Sequence, residues 1–434
     1  MIEKKHTLYW IETYGCQMNM AESNALELSL AEHGINKALS AEEADCVIIN
    51  TCSVRKTAEN RIWGRIGYYK HLKETHDITL IITGCMAERL HDEIIEMAPA
   101  VDHVIGTNDK HRIAAILSGA SDERKEEYTF THNYHKVGDI TSFVPIMNGC
   151  NNFCSYCIVP YVRGREISRS VTSILDEVKR LEELGVKEIT LLGQNVNSYN
   201  YTHNGMLYQF PDILEKVVKE VPSVKWIRFE SPHPKDFSPS LIQLLKEEKK
   251  LPRHLHVPLQ SGSTPILNAM RRKYTRESFT ALISDITTAV PDMTYTTDVM
   301  VGFPGESEED FNQTITLMNE VKFIEAFMYY FNPREGTKAV EMENQVPIEV
   351  RLERLNRLIV NQRALTRTHK EKRCFDTIEL MVEGRAKKNK DHYLGRSEHN
   401  EMIVFEPTST MTNGDIIRVS LNGLVGNTYK GKQI

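Results

Sequence analysis

The 434-residue sequence has no run of 18 or more apolar residues, which is the length that a membrane-spanning helix needs. Its first residues, MIEKKH, contain neither the apolar core of a signal peptide nor the character of a transit peptide. We therefore expect a cytoplasmic protein with no membrane contact, in which the eight cysteines stay reduced. Clustered cysteines in such a protein indicate metal binding or catalysis rather than disulfides.

The sequence also lacks an excess of positive charge. Its 53 Lys and Arg residues are outnumbered by 59 Asp and Glu residues, which gives a net charge of −6. This balance argues against a protein covered with nucleic acid, although a local basic face could still bind one. The hydrophobic content of 41% and the charged content of 26% are typical of globular proteins, and the length predicts two or three domains.

Three of the cysteines, Cys150, Cys154 and Cys157, lie within eight residues in a Cys-x3-Cys-x2-Cys pattern. Thiolates at short spacings of this kind bind iron–sulfur clusters. Three protein ligands leave one iron of a four-iron cubane free to bind a substrate. A zinc site and three buried thiols are the alternatives, but zinc usually takes four N or S ligands, often as two Cys-x2-Cys pairs. No second pair is nearby, so we predict a [4Fe–4S] cluster on these three cysteines.

Residues 1–125 are predicted to form a first domain in which apolar strands such as CVIIN (46–50) alternate with helices. This alternation predicts an open parallel α/β sheet with helices on both faces. Cys16, Cys52 and Cys85 each come directly after a predicted strand. Because parallel strands end at one edge of a sheet, we expect the three thiols to meet there and bind a second cluster. The alternative is that each cysteine only fills a pocket at its own strand end.

Residues 140–370 are predicted to repeat a strand–helix unit six times and to close toward a partial (β/α)6 barrel, in which chemistry lies at the carboxyl ends of the strands. Beside Cys150, those ends carry five polar residues: Gln194, Asn195, Glu230, Gln260 and Asp298. As a set they are suited to the ribose, amino and carboxylate groups of a cofactor. Taken singly, each polar residue could equally be a loop or helix cap.

The two remaining segments are polar or alternate in polarity. Residues 121–140 have no apolar period and read as a linker or an exposed excursion between domains. Residues 372–434 alternate apolar and polar residues between glycine turns, which predicts a small antiparallel β-barrel. Small barrels of this type often bind RNA, and Lys387, Lys388, Lys390 and Arg396 form a basic cluster here. A solvated basic face on a stabilising appendage is the other interpretation.

Together, these motifs resemble the methylthiotransferases, a family of radical S-adenosylmethionine (SAM) enzymes. The resemblance is carried by YGCQMN (14–19), NTCSVR (50–55), GCMAER (84–89), the loop 148–169 with Tyr156 before its last cysteine, and LLGQNVNSY (191–199). The C-terminal residues resemble a TRAM domain, an RNA-binding barrel. Within the family, the motif variants resemble the MiaB type, which converts N6-isopentenyladenosine at position 37 of tRNA to its 2-methylthio form.

This resemblance implies a mechanism and a set of partners. The cluster on Cys150, Cys154 and Cys157 would reduce SAM to methionine and a 5′-deoxyadenosyl radical. The cluster on Cys16, Cys52 and Cys85 would carry sulfur, which a second SAM methylates before the group is delivered to C2 of the base. The partners would be the tRNA anticodon stem-loop, an electron donor such as a flavodoxin or ferredoxin, and a carrier of sulfur or clusters. We expect a monomer.

Three arginines of the cysteine loop and a basic run further along could neutralise RNA phosphates, although surface solvation explains each equally well. They are Arg163, Arg165, Arg169 and the run Arg271-Arg272-Lys273. Two other functions stay open at this point. One is methylthiolation of an aspartate in a protein, of the ribosomal protein S12 type, and the other is RNA binding without catalysis.

Overall fold

The structure is a computed structural model that describes residues 6–53, 56–120, 128–132, 135, 136 and 138–434, without the side chains of residues 56–58. It contains a parallel sheet domain, a partial α/β barrel and a closed β-barrel, so the predicted fold class is confirmed. Val54 and Arg55 of the second cysteine motif, and residues 121–127, 133, 134 and 137 of the predicted linker, lie outside the described residues. Among the described residues, no helix combines the length and apolar character that crossing a membrane requires.

The N-terminal sheet has five parallel strands in the order β2-β1-β3-β4-β5. Their bounds are β1 Leu8–Thr13, β2 Asn36–Lys37, β3 Cys46–Thr51, β4 Thr79–Gly84 and β5 His103–Ile105. Alternate side chains of β3 enter two separate apolar clusters, with Val47 on one face and Ile48 on the other. Both faces of the central strands are therefore buried, which is why their sequences are continuously apolar.

Five helices cover the two faces of this sheet. They are α1 Gln17–Glu32, α2 Lys56–Leu72, α3 Cys85–Arg89, α4 His91–Met97 and α5 Ile113–Ser118. The backbone leaves the helical conformation at Leu90, which separates α3 from α4. As a result, α3 begins at Cys85 itself.

The central region contains six parallel strands, arranged as two three-stranded sheets in the orders β12-β9-β6 and β13-β14-β15. The strands are β6 Thr141–Pro145, β9 Glu188–Leu192, β12 Trp226–Phe229, β13 His254–His256, β14 Thr294–Val301 and β15 Glu325–Tyr330. The six predicted strands are thus all present, and the strand pairing is interrupted only between β12 and β13 in this part of the chain. A large apolar cluster lies between the strands and the surrounding helices.

Eight helices and two small antiparallel pairs complete this region. The helices are α6 Val159–Arg163, α7 Val171–Glu183, α8 Phe210–Glu220, α9 Pro239–Glu247, α10 Thr264–Ala269, α11 Arg276–Ala289, α12 Glu308–Val321 and α13 Ile348–Lys372. The antiparallel pairs are β7 Met147–Asn148 with β8 Ile167–Ser168, and β10 Asn200–His203 with β11 Met206–Gln209. The pair β7–β8 joins the two ends of the cysteine loop.

The C-terminal strands form a closed barrel in the order β16-β17-β18-β20-β19. They are β16 Thr377–Arg385, β17 Tyr393–Ser397, β18 Met402–Glu406, β19 Ile416–Val425 and β20 Thr428–Gln433. The pairs are antiparallel as predicted, except that β18 and β20 pair in parallel to close the barrel. Buried ion pairs attach this barrel to the central region, because Glu188 bonds both Arg228 and Arg396.

Candidate cluster and cofactor site

The loop that carries Cys150, Cys154 and Cys157 is closed on itself at its two ends. The backbone N–H of Cys150 donates to the carbonyl of Gly164 at 3.1 Å. Gly149 has a φ of +80°, and a Cβ at this position would overlap the carbonyl of Arg165. Only glycine therefore allows the two ends to approach so closely. This closure keeps three thiols within one compact loop.

Cys150 and Cys154 are buried and Cys157 is half-buried. Burial raises the pKa of Cys150 to about 11 and that of Cys157 to about 12. Both groups are thus neutral thiols unless a metal takes the place of the proton. The guanidinium of Arg272, itself buried, lies 3.4 Å from the Sγ atom of Cys154 and also donates to the hydroxyl of Tyr274. A buried cation beside a thiol suits thiolates that carry negative charge, and this is the state that iron requires.

The register of the N-terminal sheet brings the other three cysteines together. Thr51 of β3 pairs with Gly84 of β4. Paired residues of adjacent strands lie about 4.8 Å apart, and Cys52 and Cys85 come directly after these two residues. Cys16 stands at the N-terminus of α1, just after the adjacent strand β1. A Cβ added to Gly15 would lie 2.8 Å from the Cβ of Cys52, so the loop before α1 packs directly on Cys52.

Two asparagine side chains hold this edge of the sheet in place. Asn19 donates to the carbonyls of Tyr14 and Thr51, at 3.1 and 2.9 Å, and its Oδ1 atom lies 3.6 Å from the Sγ atom of Cys16. Asn50 donates to the carbonyl of Asn19 and to the hydroxyl of Ser23. These contacts tie the ends of β1 and β3 to the first turns of α1, where Cys16 lies.

The two cysteine groups are joined through helix α6. Cys85 packs against Ile158 and Val162 of the loop that carries Cys150, Cys154 and Cys157. The next residue, Arg163, is buried and donates to Glu22 of α1 at 2.5 Å and to Asn148 at 3.0 Å. Glu22 also pairs with Lys110, so one carboxylate is held between two cations. Burial raises the pKa of Glu22, but Arg163 and Lys110 outweigh that effect and lower it to about 2.

A cavity of about 400 Å³ lies beside the loop that carries Cys150, Cys154 and Cys157. Cys157 and Tyr156 of the loop line it on one side, and Ser53, which follows Cys52, lines it on another. Gln260 and Asp298, two of the five polar residues predicted to hold a cofactor, also line this cavity. The cavity is thus large enough for a small molecule, and its lining includes one cysteine of the loop and the residue that follows Cys52.

The other three predicted polar residues lie outside the lining of this cavity. Asn195 donates to Asp236 at 2.9 Å. The Oδ1 atom of Asn195 and the Oε1 atom of Gln194 are buried and have no hydrogen-bond partner among the described residues. Glu230 follows β12, and burial raises the pKa of its carboxyl group. Unsatisfied buried acceptors are uncommon, and here they suit a ligand that supplies N–H donors, such as the ammonium group of SAM.

The structure also contains functional candidates that the sequence did not suggest. The Nε2 atom of His233 is buried without a hydrogen-bond partner in the described chain, and burial together with nearby Arg272 lowers the pKa of this imidazole to about 2. Arg334 lines the cavity and lies 3.5 Å from Glu59. No sequence signal marks these residues, because their partners lie far away along the chain.

The prediction that arginines of the cysteine loop and of the basic run neutralise RNA phosphates is wrong for Arg163, Arg169 and Arg272. All three are buried and bond to protein groups. Arg396 of the predicted basic cluster is likewise engaged by Glu188 and Glu383. Buried guanidinium groups need fixed partners, so these residues stabilise the fold and cannot offer free charge to a ligand.

Within the described residues, no three His, Cys, Asp or Glu side chains converge on a point where one metal ion would be held. A cubane does not need such a point, because each of its thiolates binds a different iron. The six thiols form two sets, with three on the loop after β7 and three along one edge of the N-terminal sheet.

Two family models match the chain. The first is described as Uncharacterized protein family UPF0004 and matches residues 8–106, and the second is the Radical SAM superfamily and matches residues 144–318. The first match contains Cys16, Cys52 and Cys85, and the second contains Cys150, Cys154 and Cys157. Each cysteine group thus falls within one of the two matched regions.

The chain is similar to curated proteins over nearly its full length. It is 44% identical to tRNA-2-methylthio-N(6)-dimethylallyladenosine synthase of Treponema pallidum, over 97% of this chain and 98% of that protein. It is 40% identical to the protein of the same name in Porphyromonas gingivalis, over 93% of this chain and 90% of that protein. Among solved structures, the radical SAM methyltransferase TsrM of Kitasatospora setae superposes with a TM-score of 0.58. Its identity is 13%, over 78% of this chain and 77% of that one, so this likeness concerns the fold alone.

Proposed function

The chain belongs to the family of tRNA-2-methylthio-N6-dimethylallyladenosine synthases, and from this membership we propose that it methylthiolates C2 of N6-isopentenyladenosine at position 37 of tRNA. The observation that carries the proposal is the full-length similarity, together with a group of three cysteines in each of the two matched regions. The target C–H bond is not acidic enough for ordinary base catalysis, so the reaction calls for radical chemistry from a cofactor.

We assign one [4Fe–4S] cluster to Cys150, Cys154 and Cys157 and another to Cys16, Cys52 and Cys85. When bound, the first supplies the electron that cleaves SAM and the second supplies the sulfur. The buried thiols with Arg272 beside Cys154 support the first assignment. The shared register of β3 and β4 and the position of Cys16 support the second.

The polar residues around these groups bind and orient SAM in this proposal. Gln260 and Asp298 hold hydroxyl groups in the cavity beside Cys157. The unpartnered oxygens of Gln194 and Asn195 accept hydrogen bonds from the ammonium group of SAM. Glu230, which follows β12, is the fifth polar residue that we assign to SAM. The apolar lining, with Met300, Met328 and Tyr330, excludes water from a reactive radical.

The RNA contact is assigned to the C-terminal barrel, in the manner of a TRAM domain, and to the end of helix α13. Arg363, Arg367 and Lys370 lie along one face of this helix and line a groove of about 550 Å³ together with the turn at Gly426 and Asn427. Lys370 donates to the carbonyl of Asn427, which joins the helix to the barrel. Exposed arginines on a groove suit a phosphate backbone, and an anticodon loop exposes its bases more cheaply than a duplex does.

Reversing the charge of Arg363 and Arg367 to Glu should weaken tRNA binding on the order of 10-fold at 0.1 M salt. The slope of log affinity against log salt should become shallower by one to two, because fewer counterions are released. SAM cleavage without RNA should not change. The measurement is fluorescence anisotropy with labelled tRNA over a series of salt concentrations.

The matched control for this variant is reversal of Lys246 and Lys249, two exposed lysines at the end of α9. Both double variants change the net charge equally, so a general electrostatic effect would appear in both. An equal loss of affinity in the two variants would remove the groove from the RNA contact.

The test of the function as a whole is mass spectrometry of the product. Anaerobically reconstituted protein, with SAM and a reductant, should add one methylthio group to isopentenylated tRNA and none to ribosomal protein S12. A gain of mass on the protein substrate alone would favour the aspartate-modifying alternative. Protein that binds tRNA but never cleaves SAM would leave only an RNA-binding role.

We propose a cytoplasmic monomer that receives electrons from a flavodoxin or ferredoxin and sulfur from a carrier protein. We also propose domain bounds of 1–125, 140–370 and 372–434, which limited proteolysis can check at the segments between them.

A further inference from the structure

Phe327 is a large apolar side chain that faces the interior of the partial barrel and is nevertheless 53% exposed. It pairs in register with Asp298, and Tyr329 pairs with Met300. Paired residues of neighbouring strands point to the same face of a sheet. The opposite face of β14 is closed, since Val299 and Val301 are fully buried against the helices. Phe327 therefore projects into the open interior, on the side of Asp298.

The neighbours of Phe327 are hydrogen-bonding groups. The ring of His256 meets it edge to face, with the ring centroids 5.8 Å apart. The Nε2 atom of His256 lies 3.3 Å from Asp298, and its Nδ1 atom lies 3.1 Å from the hydroxyl of Thr296. Both ring nitrogens of His256 thus have partners within the protein. Phe327 offers the exposed aromatic face on which an unpaired nucleobase can stack.

Phe327 lies next to the cavity without being part of its lining. The lining includes Met328, Tyr329 and Tyr330 of the same strand, and Asp298, which pairs with Phe327. At about 3.3 Å per residue, Phe327 lies about 7 to 10 Å deeper in the barrel than Tyr329 and Tyr330. A ligand on Phe327 would thus reach toward the cavity from the side opposite to the loop.

We propose that Phe327 is the stacking platform for the target adenine of the RNA, beside the ring of His256 that meets it edge to face. This inference rests on the proposed function and adds the residue that recognises the base. Stacking on an aromatic side chain strengthens binding of a base on the order of 10- to 100-fold, without depending on its sequence context. Exposure of the phenyl ring in the ligand-free protein is explained by the base that covers it.

The test is a double-mutant cycle on binding by the reconstituted holoenzyme. Wild type and Phe327→Ala are each titrated with two fluorescent anticodon stem-loop RNAs, one with isopentenyladenosine at position 37 and one with an abasic site there. Wild type should prefer the intact RNA by on the order of 10-fold or more, and Phe327→Ala should bind both RNAs equally. Phe327→Trp should restore the preference, and Phe327→Leu, which keeps apolar volume without an aromatic face, should not.

Two controls separate stacking from other effects. Phe375→Ala removes another exposed phenylalanine, 85% exposed just after α13, and should keep the preference for the intact base. SAM cleavage without RNA should be the same in wild type and Phe327→Ala, since the ring is not assigned to the cofactor. A Phe327→Ala variant that keeps the preference, or that loses SAM binding to the same degree as RNA binding, would overturn the inference.

The result also distinguishes this inference from the proposed function. If wild type transfers a methylthio group to tRNA while Phe327→Ala keeps its preference, only the role of Phe327 fails. If wild type shows no preference for the intact base, no base-binding site exists at Phe327, and the product assay decides separately whether the enzyme acts on tRNA.

Discussion

Replacing Cys150 with alanine should abolish SAM cleavage, whereas replacing Cys52 should leave SAM cleavage measurable and remove sulfur insertion. The two residues belong to separate cysteine groups, one on the loop after β7 and one at the edge of the N-terminal sheet. Loss of one thiolate from a three-thiolate site leaves too few protein ligands for a cubane with one open iron. Each variant should therefore lose about half of the bound iron.

Two measurements under anaerobic conditions check that the two cysteine groups have separate roles in SAM cleavage and sulfur insertion. Iron and sulfide per chain report which cluster is lost, and chromatography of 5′-deoxyadenosine reports SAM cleavage. Cys374→Ala is the matched control, because Cys374 belongs to neither group and its thiol donates to the carbonyl of Lys370. Equal loss of SAM cleavage in the Cys52 and Cys150 variants would contradict two separate roles.

Replacing Glu22 with glutamine should destabilise the metal-free protein by about 3 to 5 kcal/mol near neutral pH, because two buried cations lose their shared carboxylate. Arg163 and Lys110 both bond Glu22 in the interior. The same variant should lower methylthio transfer, since Arg163 joins the end of α6 to α1, beside both cysteine groups. Urea unfolding followed by circular dichroism measures the loss of stability.

The pH dependence of stability gives an independent check on the same residue. The pKa of Glu22 is lowered from 4.5 to about 2 in the folded chain. Its contribution to stability is therefore fully present above pH 4.5 and is lost as the pH falls toward 2. Between pH 5 and pH 3 this loss should be about 2 kcal/mol, and it should be absent from Glu22→Gln. Glu32→Gln, at an exposed position on the same helix, should keep the wild-type slope.

The grouping of the cysteines could be predicted from local sequence patterns. The spacing of Cys150, Cys154 and Cys157 predicted one site from eight consecutive residues, and the ends of apolar strands predicted where Cys16, Cys52 and Cys85 would lie. Both predictions rest on short-range patterns, namely ligand spacing and strand period. The structure places Cys52 and Cys85 after paired residues of adjacent strands, in keeping with that expectation.

The burial of the arginines and their partners could not be predicted from local sequence patterns. Arg163, Arg169 and Arg272 look like exposed cations in the sequence, and each is buried in the fold. The partner of Arg163 is 141 residues away, and the thiol beside Arg272 is 118 residues away. No local pattern encodes a contact over such distances, so the sequence could not distinguish a buried ion pair from a phosphate-binding residue.

The sequence by itself determined the class of the fold, the two groups of three thiols and the family of the enzyme, because strand period, ligand spacing and motif similarity are all properties of neighbouring residues. Only the tertiary structure decided which polar residues line the cavity and which cations are paired with carboxylates. It also decided that Phe327 faces the open interior of the barrel. The physical reason is that burial and pairing depend on how distant segments pack, which the order of residues within one segment does not contain.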